Sequence, residues 1–181
     1  MERSVTLIAM FAALIAALGL IPQFTLAFGV PITAQTLGVM LCGTVLGAWR
    51  GTLAVLLFLA LVALGLPLLA GGRGGLGVFT SPTVGFLIGW PIAAFAAGLF
   101  MHLFRQIPVG LAAGIASVLG GIVVLYVFGI AGLMVVLDKT ALEATALVSA
   151  FIPGDLIKAV LAGFITQGLA RARPDALLSR A

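Results

Sequence analysis

The amino-acid sequence predicts an all-α, polytopic membrane protein that forms a single integral membrane domain over residues 1–181. Composition is the first observation behind this class, because 63% of the residues are hydrophobic and only 8% are charged. The second is the mean hydropathy of +1.35. A soluble domain with these values would have too few polar side chains to cover its surface. The third is spacing: apolar runs of about 20 residues, the length that crosses a bilayer as a helix, alternate with short breaks.

The apolar runs and their breaks predict six transmembrane helices. Pro22 ends the first run, and Trp49-Arg50-Gly51 separates the second from the third. We interpret the first run as a retained span, because no small-x-small cleavage site followed by a polar chain comes after it. The predicted spans cover residues 4–21, 33–48, 52–69, 83–104, 109–129 and 153–170.

The positive charges predict the orientation of these spans. If the N-terminus lies inside, the outer segments carry only Arg73 and Lys139, and Lys158 falls within a span. Lys and Arg accumulate on the cytoplasmic side of membrane proteins. Both termini are therefore expected in the cytoplasm, in a multi-pass protein of the bacterial cytoplasmic membrane. The basic residues on the predicted inner side are Arg3, Arg50, Arg105, Arg171, Arg173 and Arg180.

The predicted outer segments are residues 22–32, 70–82 and 131–152. In the last of them, Thr140 and Glu143 have the spacing of a helix-capping box, which predicts a short surface helix over residues 141–150. Pro153 then begins the sixth span in the first helical turn, a position that proline tolerates. The outer ends of the second and sixth spans therefore lie beside unusual, turn-rich segments.

Asp155 and Lys158 are the most informative residues of the chain, because ionisable side chains inside a membrane span are rare and costly. Three residues apart, they share one helix face. One interpretation is mutual neutralisation at the membrane interface, with Lys158 extending outward. The alternative is a polar pocket open to the outside, in which the carboxylate accepts hydrogen bonds and the ammonium donates them.

The predicted outer loop over residues 70–82 is rich in glycine and contains Arg73 as its single charge. Gly72, Gly74 and Gly77 match a dinucleotide-binding pattern, but no strand precedes them and no acidic residue follows at the required distance. We interpret Gly74 and Gly75 as part of a tight-turning loop whose backbone N–H groups approach a ligand. Arg73 is either an exposed loop residue or the partner of a ligand carboxylate.

Other features point to packing or to a partner subunit rather than to catalysis. Gln35 brings an amide to the outer end of the second span, where it either bonds a neighbouring helix or faces a pocket. A ridge of small residues on the first helix, at Ala9, Ala13 and Ala17, suits internal packing or docking of another membrane subunit. His102 and Cys42 have no companions that would make a metal site, and no nucleophile–base cluster or P-loop is present.

Four segments together resemble the BioY family, the biotin-binding S components of energy-coupling factor (ECF) transporters. The resemblance covers nearly the whole chain, with the motifs in the same order. It departs from the family at Ser81, Val84 and Phe86, where a run closer to Gly-Pro-Thr-Gly-Gly-Tyr is expected. The matching segments are Val30–Gly38, Gly65–Val78 (in parts), Ser81–Gly89 and Phe151–Lys158.

The resemblance implies a six-helix membrane protein that captures biotin from outside and is not itself an enzyme. It also implies two kinds of partner: a transmembrane coupling subunit, contacted by the ridge at Ala9, Ala13 and Ala17, and two cytoplasmic ATP-binding cassette ATPases. The lipid bilayer surrounds the protein as a further expected partner, and no nucleic acid is expected. No cofactor is implied, because biotin is the cargo. The missing P-loop agrees with an energy source in the partner subunits.

Biotin chemistry suggests roles for the candidate residues. Asp155 would accept a hydrogen bond from a urea N–H, Lys158 would donate to the urea carbonyl, and Arg73 would pair with the carboxylate. Phe79 and Phe86 would hold the rings and the valeryl chain. The predicted binding residues are Gln35, Arg73, Gly74, Gly75, Phe79, Phe86, Asp155 and Lys158. The alternatives are a membrane scaffold protein without a ligand and an S component for another small vitamin.

Overall fold

A computed structural model describes residues 2–180 of the chain and is helical over most of its length. A two-stranded antiparallel hairpin interrupts the helices, with Phe24 opposite Ile32 and Thr25 opposite Pro31. The elements are α1 (Glu2–Leu18), β1 (Phe24–Thr25), β2 (Pro31–Ile32), α2 (Gln35–Leu46), α3 (Ala48–Ala63), α4 (Val84–Leu103), α5 (Val109–Val118), α6 (Leu125–Val136), α7 (Ala141–Ser149) and α8 (Ile152–Ala172). The π-helical segment Leu119–Val124 joins α5 to α6, and short 3₁₀ turns lie at Leu76–Thr80, Pro174–Ala176 and Leu178–Arg180.

Each of the six predicted spans coincides with one helix or continuous helical run, but several boundaries were wrong. The third span, predicted to end at residue 69, ends at Ala63. Gly47, at φ +83°, reverses the chain within one residue, so that α3 begins at Ala48 and not at residue 52. Trp49 and Arg50 therefore lie in the first turn of α3 instead of a loop. The fifth run continues past residue 129 to Val136, because the π-helical segment carries it through Gly120 and Gly121 without a break.

Length and composition single out part of this architecture as able to cross a membrane. Among the described residues, Val84–Leu103 and the continuous helix Val109–Val136 are each long and apolar enough. The pair α7 and α8 qualifies together, although the two helices are bent by 56°. The apolar helices α2 and α3 are shorter than a typical span. Six crossings and the side on which the termini lie stay predictions.

The surface helix predicted near residue 141 is confirmed. Thr140 accepts a hydrogen bond from the Glu143 N–H at 3.3 Å, and the Glu143 carboxylate accepts one from the Thr140 N–H at 2.9 Å. This reciprocal pair is the capping box that the spacing indicated. Pro153 lies in the first turn of α8, as predicted.

The chain's last residues fold back on the end of the molecule opposite the hairpin. The Ser179 hydroxyl donates to the Thr44 carbonyl at 2.6 Å. The Arg180 guanidinium donates to the carbonyls of Phe104 and Ile107, which follow the end of α4. These bonds satisfy backbone acceptors that a helix end leaves open. The predicted inner segments are thus gathered at one end, and the predicted outer segments at the other.

Glycines at helix crossings let neighbouring helices approach closely. A Cβ on Gly85 would overlap the Phe128 carbonyl oxygen and would lie 2.8 Å from the Gly132 Cα, so α4 and α6 touch backbone to backbone there. Gly43 meets the backbone of α4 in the same way, at Ala94. Close approach of this kind is a main source of helix association in membranes.

Gly85→Ala is expected to lower the melting temperature of the detergent-purified protein, because the added methyl group would overlap the backbone of α6. Overpacking of this kind costs about 1–3 kcal/mol. Gly168→Ala is the matched control: it also lies within a long helix, but an added Cβ would meet no atom within 4 Å. Alanine there is expected to leave stability unchanged or to raise it by up to about 1 kcal/mol. Equal effects at both positions would contradict the packing argument.

Candidate functional site

A cavity lies at the end of the molecule where the three predicted outer segments meet. The hairpin, the loop 64–83 and the first turns of α2, α4 and α8 contribute its walls. The cavity volume is about 50 Å³, and the figure rises to about 460 Å³ when all the space between the lining atoms and the adjoining open solvent is included. The lining residues are Val30, Pro31, Thr33, Gln35, Leu69, Arg73, Thr83, Phe86, Leu87, Trp90, Phe151 and Asp155.

Asp155 is the anionic group of this cavity and is 4% exposed. One carboxylate oxygen, Oδ1, accepts from Lys158 Nζ at 2.8 Å and from the Thr36 hydroxyl at 3.3 Å. The other oxygen, Oδ2, accepts from the Tyr126 hydroxyl at 2.8 Å. A carboxylate offers about four acceptor positions. Asp155 is therefore held rigidly by three donors and keeps capacity for one more, from a ligand.

Lys158 stands behind Asp155 and does not line the cavity. Its ammonium bonds Asp155 and also donates to the Thr36 hydroxyl at 2.9 Å, and its side chain is only 13% exposed. It therefore does not extend outward to the membrane interface. The two interpretations of the pair both hold in part: Lys158 neutralises Asp155, and Asp155 nevertheless faces a pocket. A direct contact of Lys158 with a ligand stays a prediction.

Tyr126 was missed by the sequence analysis. It comes from the middle of the long helical run, at the second residue of α6, and packs its hydroxyl onto Asp155. The available signal was that it is the only tyrosine of the chain, set in an apolar run. Buried tyrosines nearly always direct the hydroxyl to a partner. The sequence alone did not show which one, because 29 residues separate Tyr126 from Asp155.

Gln35 lines the cavity, yet the protein backbone occupies its amide. The side-chain Nε2 donates to the carbonyls of Ile15 and Leu68 at 3.1 and 3.0 Å, and Oε1 accepts from the Ala70 N–H at 2.9 Å. With 1% of its surface exposed, Gln35 ties α1, α2 and the loop 64–83 together. Its amide is used for positioning, which agrees with the first interpretation of Gln35, and a direct ligand contact stays a prediction.

Arg73 belongs to the cavity wall, as one interpretation of its position predicted. Leu69 and Arg73 exchange backbone hydrogen bonds at 3.0 and 3.2 Å across the turn at Gly71 and Gly72, where φ is +77° and +69°. Only glycine adopts such angles readily. Arg73 Nε donates to the Ala70 carbonyl at 3.3 Å. Partial burial lowers the pKa of the guanidinium, but an arginine starts so high that it stays charged at neutral pH.

Gly74 and Gly75 shape the loop and are not among the residues that line the cavity. A Cβ on Gly74 would overlap the Leu66 carbonyl oxygen, so the glycine allows the loop to cross the chain after α3. The Gly75 N–H donates to the Val62 carbonyl near the end of α3 at 2.8 Å. The Gly75 N–H is thus occupied by the protein, and contact of either glycine with a ligand stays a prediction.

Aromatic rings form the apolar wall of the cavity. Phe86 packs edge-on against Phe151 with ring centroids 5.7 Å apart, and Phe151 packs against Phe28 at 6.1 Å. Trp90, one turn further along α4 than Phe86, was another residue that the sequence analysis missed. Phe79 packs against the core, outside the set of lining residues. The apolar face therefore comes mainly from α4 and Phe151.

The charges of the cavity favour a monoanionic guest. Asp155 and Arg73 are the charged residues that line it, and Lys158 compensates Asp155. One positive charge is left, on Arg73. No cluster of three metal-ligating side chains occurs within residues 2–180. A concave, mainly apolar site with a few convergent polar groups is the usual form of a small-molecule pocket.

Fold and cavity together define a helical membrane protein with a ligand-binding site between its helix ends. The chain belongs to the BioY family, whose model matches residues 2–175. It is 57% identical to the biotin transporter BioY of Rhodobacter capsulatus, over 99% of this chain and all of that protein. It is 51% identical to the biotin transporter BioY of Rhizobium etli, over 92% of each.

A solved structure shares the fold. The crystal structure of the S-component for biotin from an ECF-type ABC transporter matches with a TM-score of 0.88 at 33% identity. The match covers 94% of this chain and 92% of that one. The family resemblance seen in the sequence motifs is confirmed, and the relatives are transport proteins, which agrees with the expectation that the chain is not an enzyme.

Proposed function

We propose that this protein captures biotin for uptake, as the substrate-binding subunit of an ECF-type transporter. The observation that carries the proposal is the cavity in which Arg73 and Asp155 face apolar and aromatic walls. The names of the relatives supply the ligand, since the R. capsulatus and R. etli proteins are biotin transporters and the matched structure is an S-component for biotin.

The groups of the cavity complement those of biotin. The remaining acceptor position of Asp155 suits one N–H of the cyclic urea, and the guanidinium of Arg73 suits the carboxylate. The net charge of the lining, one positive after the Asp155–Lys158 pair cancels, suits a monoanion. Phe86, Phe151 and Leu87 offer apolar surface to the fused rings and the valeryl chain. Tyr126, Thr36 and Lys158 would hold Asp155 in place.

The remaining parts of the proposal concern membrane and partners. The protein would span the bacterial cytoplasmic membrane six times, with both termini inside and the cavity open to the outside. It would act with a transmembrane coupling subunit and two ATP-binding cassette ATPases, since the chain has no P-loop of its own. Ala9, Ala13 and Ala17 all lie on the exposed side of α1. An exposed ridge of small residues is suited to the coupling-subunit contact suggested above.

Biotin is expected to raise the melting temperature of the detergent-purified protein. A ligand that binds only the folded state stabilises it by about 2.7 kcal/mol at a concentration one hundred times the dissociation constant. Thiamine and riboflavin, two other small vitamins, serve as comparison ligands. A shift with one of them instead of biotin would point to a different substrate. No shift with any of the three would favour a scaffold protein without a small-molecule ligand.

Arg73→Ala is expected to weaken biotin binding roughly 10- to 100-fold, the value of a hydrogen-bonded charge contact. The affinity for biotin amide, whose tail carries no charge, should fall much less. Arg50→Ala is the control, because Arg50 is exposed at the opposite end. The test is to measure the equilibrium affinity of biotin and of biotin amide for the unmodified protein, Arg73→Ala and Arg50→Ala. Equal losses for biotin and its amide would mean that Arg73 shapes the loop without meeting the carboxylate.

A further inference from the structure

Trp90 carries a buried hydrogen-bond donor that the protein itself does not satisfy. Its indole Nε1 has no hydrogen-bond partner within residues 2–180. The residue is 5% exposed and lines the cavity. Buried polar groups are nearly always paired, and an unpaired one costs free energy comparable with a lost hydrogen bond. An unpaired donor at a cavity wall therefore indicates an acceptor that arrives with the ligand.

The ring is held in place by its surroundings. Trp90 packs against Phe58 of α3 with ring centroids 6.0 Å apart. The next residue, Pro91, lies inside α4, and its carbonyl accepts from the Thr52 hydroxyl of α3 at 3.3 Å. The ring packing on Phe58 and the hydrogen bond at the next residue both join α3 to α4 beside Trp90, which favours a fixed position of the indole. A donor positioned in this way binds a ligand without the cost of ordering a mobile side chain.

The other polar groups of the lining are largely committed. Thr33 accepts from the Gln35 N–H at 3.2 Å, and Thr83 pairs with the Ser81 hydroxyl at 2.7 Å. Gln35 is occupied by backbone groups. Asp155 offers an acceptor and Arg73 a cation. Apart from the Thr33 hydroxyl, whose own O–H is uncommitted, Trp90 is the neutral lining side chain whose donor has no partner within residues 2–180, and it suits a neutral acceptor on the ligand.

We infer that the Trp90 indole N–H donates to the carbonyl oxygen of the cyclic urea of biotin. This inference rests on the proposed function and deepens it. Biotin presents a carboxylate, which suits Arg73, and urea N–H groups, which suit Asp155. The urea carbonyl is the neutral acceptor that is left. A buried donor aimed at it would make the pocket reject analogues that lack this oxygen, because the indole N–H would then stay unpaired.

The chain offers a direct spectroscopic test, since it contains two tryptophans. In protein labelled with ¹⁵N-tryptophan, two indole N–H signals are expected, and Trp49→Phe assigns them. Trp49 is 75% exposed at the opposite end and serves as the internal reference. Saturating biotin is expected to move the Trp90 proton signal downfield, as a new hydrogen bond does, and to leave that of Trp49 in place.

An affinity measurement complements the spectrum. Benzothienylalanine has nearly the shape of tryptophan but carries sulfur in place of the indole N–H. Incorporated at position 90, it is expected to weaken biotin binding about tenfold, because the urea carbonyl loses its donor. Incorporated at position 49, it should have no effect. The unchanged shape at position 90 separates the lost donor from lost packing.

The outcomes distinguish this inference from the proposed function. If the unmodified protein does not bind biotin, the proposed function fails. If it binds biotin but the Trp90 signal does not move downfield and the position-90 analogue binds equally well, the inference fails while the function stands. Downfield movement together with a selective loss at position 90 supports both. Loss of affinity without downfield movement would show that the indole N–H forms no new hydrogen bond when biotin binds, and it would also overturn the inference.

Discussion

Asp155→Asn is expected to lower biotin affinity roughly 100-fold, because the urea N–H loses a charged acceptor. The change keeps the shape of the side chain but removes its charge. Lys158, whose side chain is 13% exposed, then remains as an uncompensated buried cation. Removing one partner of a buried ion pair typically destabilises a protein by about 3–5 kcal/mol, because the other charge stays buried and unpaired. Loss of binding and a lower melting temperature should therefore appear together.

A second variant separates the two effects. In Asp155→Asn with Lys158→Met, no unpaired charge stays buried, so stability is expected to recover in large part. Biotin affinity should stay low, since the carboxylate is still missing. Asp138→Asn is the matched control, because Asp138 is exposed in the turn before α7. Binding is measured by equilibrium titration and stability by thermal unfolding in the same detergent. Native affinity in either Asp155 variant would remove Asp155 from the binding site.

Gln35→Met is expected to destabilise the protein and to weaken biotin binding through Arg73. Methionine has a similar length but replaces none of the hydrogen bonds to Ile15, Leu68 and Ala70. Each buried backbone group left unpaired costs about 1–3 kcal/mol. The Ala70 bond holds the turn whose other end carries Arg73. Its loss is expected to free the guanidinium from its place at the cavity wall.

A double-variant comparison tests this positioning role. If Gln35 acts through Arg73, Gln35→Met added to Arg73→Ala should reduce biotin affinity little further, since residues that work as a unit are not additive. If the losses of binding free energy from the two single substitutions add up in the double variant, Gln35 and Arg73 act independently. That result would support the direct contact of Gln35 with the ligand that the sequence suggested. Gln106→Met is the control, because Gln106 is exposed in the turn between α4 and α5. It should change neither affinity nor melting temperature.

Much of this site followed from local sequence features. The energetic cost of charge in a span pointed to Asp155, the scarcity of cations in the outer segments pointed to Arg73, and the spacing of Thr140 and Glu143 predicted α7. These inferences depend on rules that act within a few residues: helix periodicity, capping and the length of an apolar run. The same rules placed six helical runs in nearly their observed positions.

The misses share a physical cause. Tyr126 and Trp90 look like ordinary apolar-run residues, and only the packing of α4, α6 and α8 brings the Tyr126 hydroxyl to Asp155 and Trp90 to the cavity wall. Gln35 was seen as a polar group at a helix end, but a choice between ligand and backbone depends on where α1 and the loop 64–83 lie. Ligand contact of Gly74 and Gly75 stays a prediction, and only the tertiary structure shows that they also serve the crossing of the loop over the end of α3.

The chain's composition, its apolar runs and its few charges already indicate the class of molecule and two candidate charged groups, and four sequence motifs in order indicate the family. Those properties depend on residues considered singly or with near neighbours. Tertiary structure alone decided that Lys158 backs Asp155 instead of lining the cavity, that Tyr126 completes the Asp155 cluster and that the Trp90 N–H has no partner within residues 2–180. Each of these depends on distances between helices far apart in the chain, and hydrogen-bond pairing is settled only at those distances.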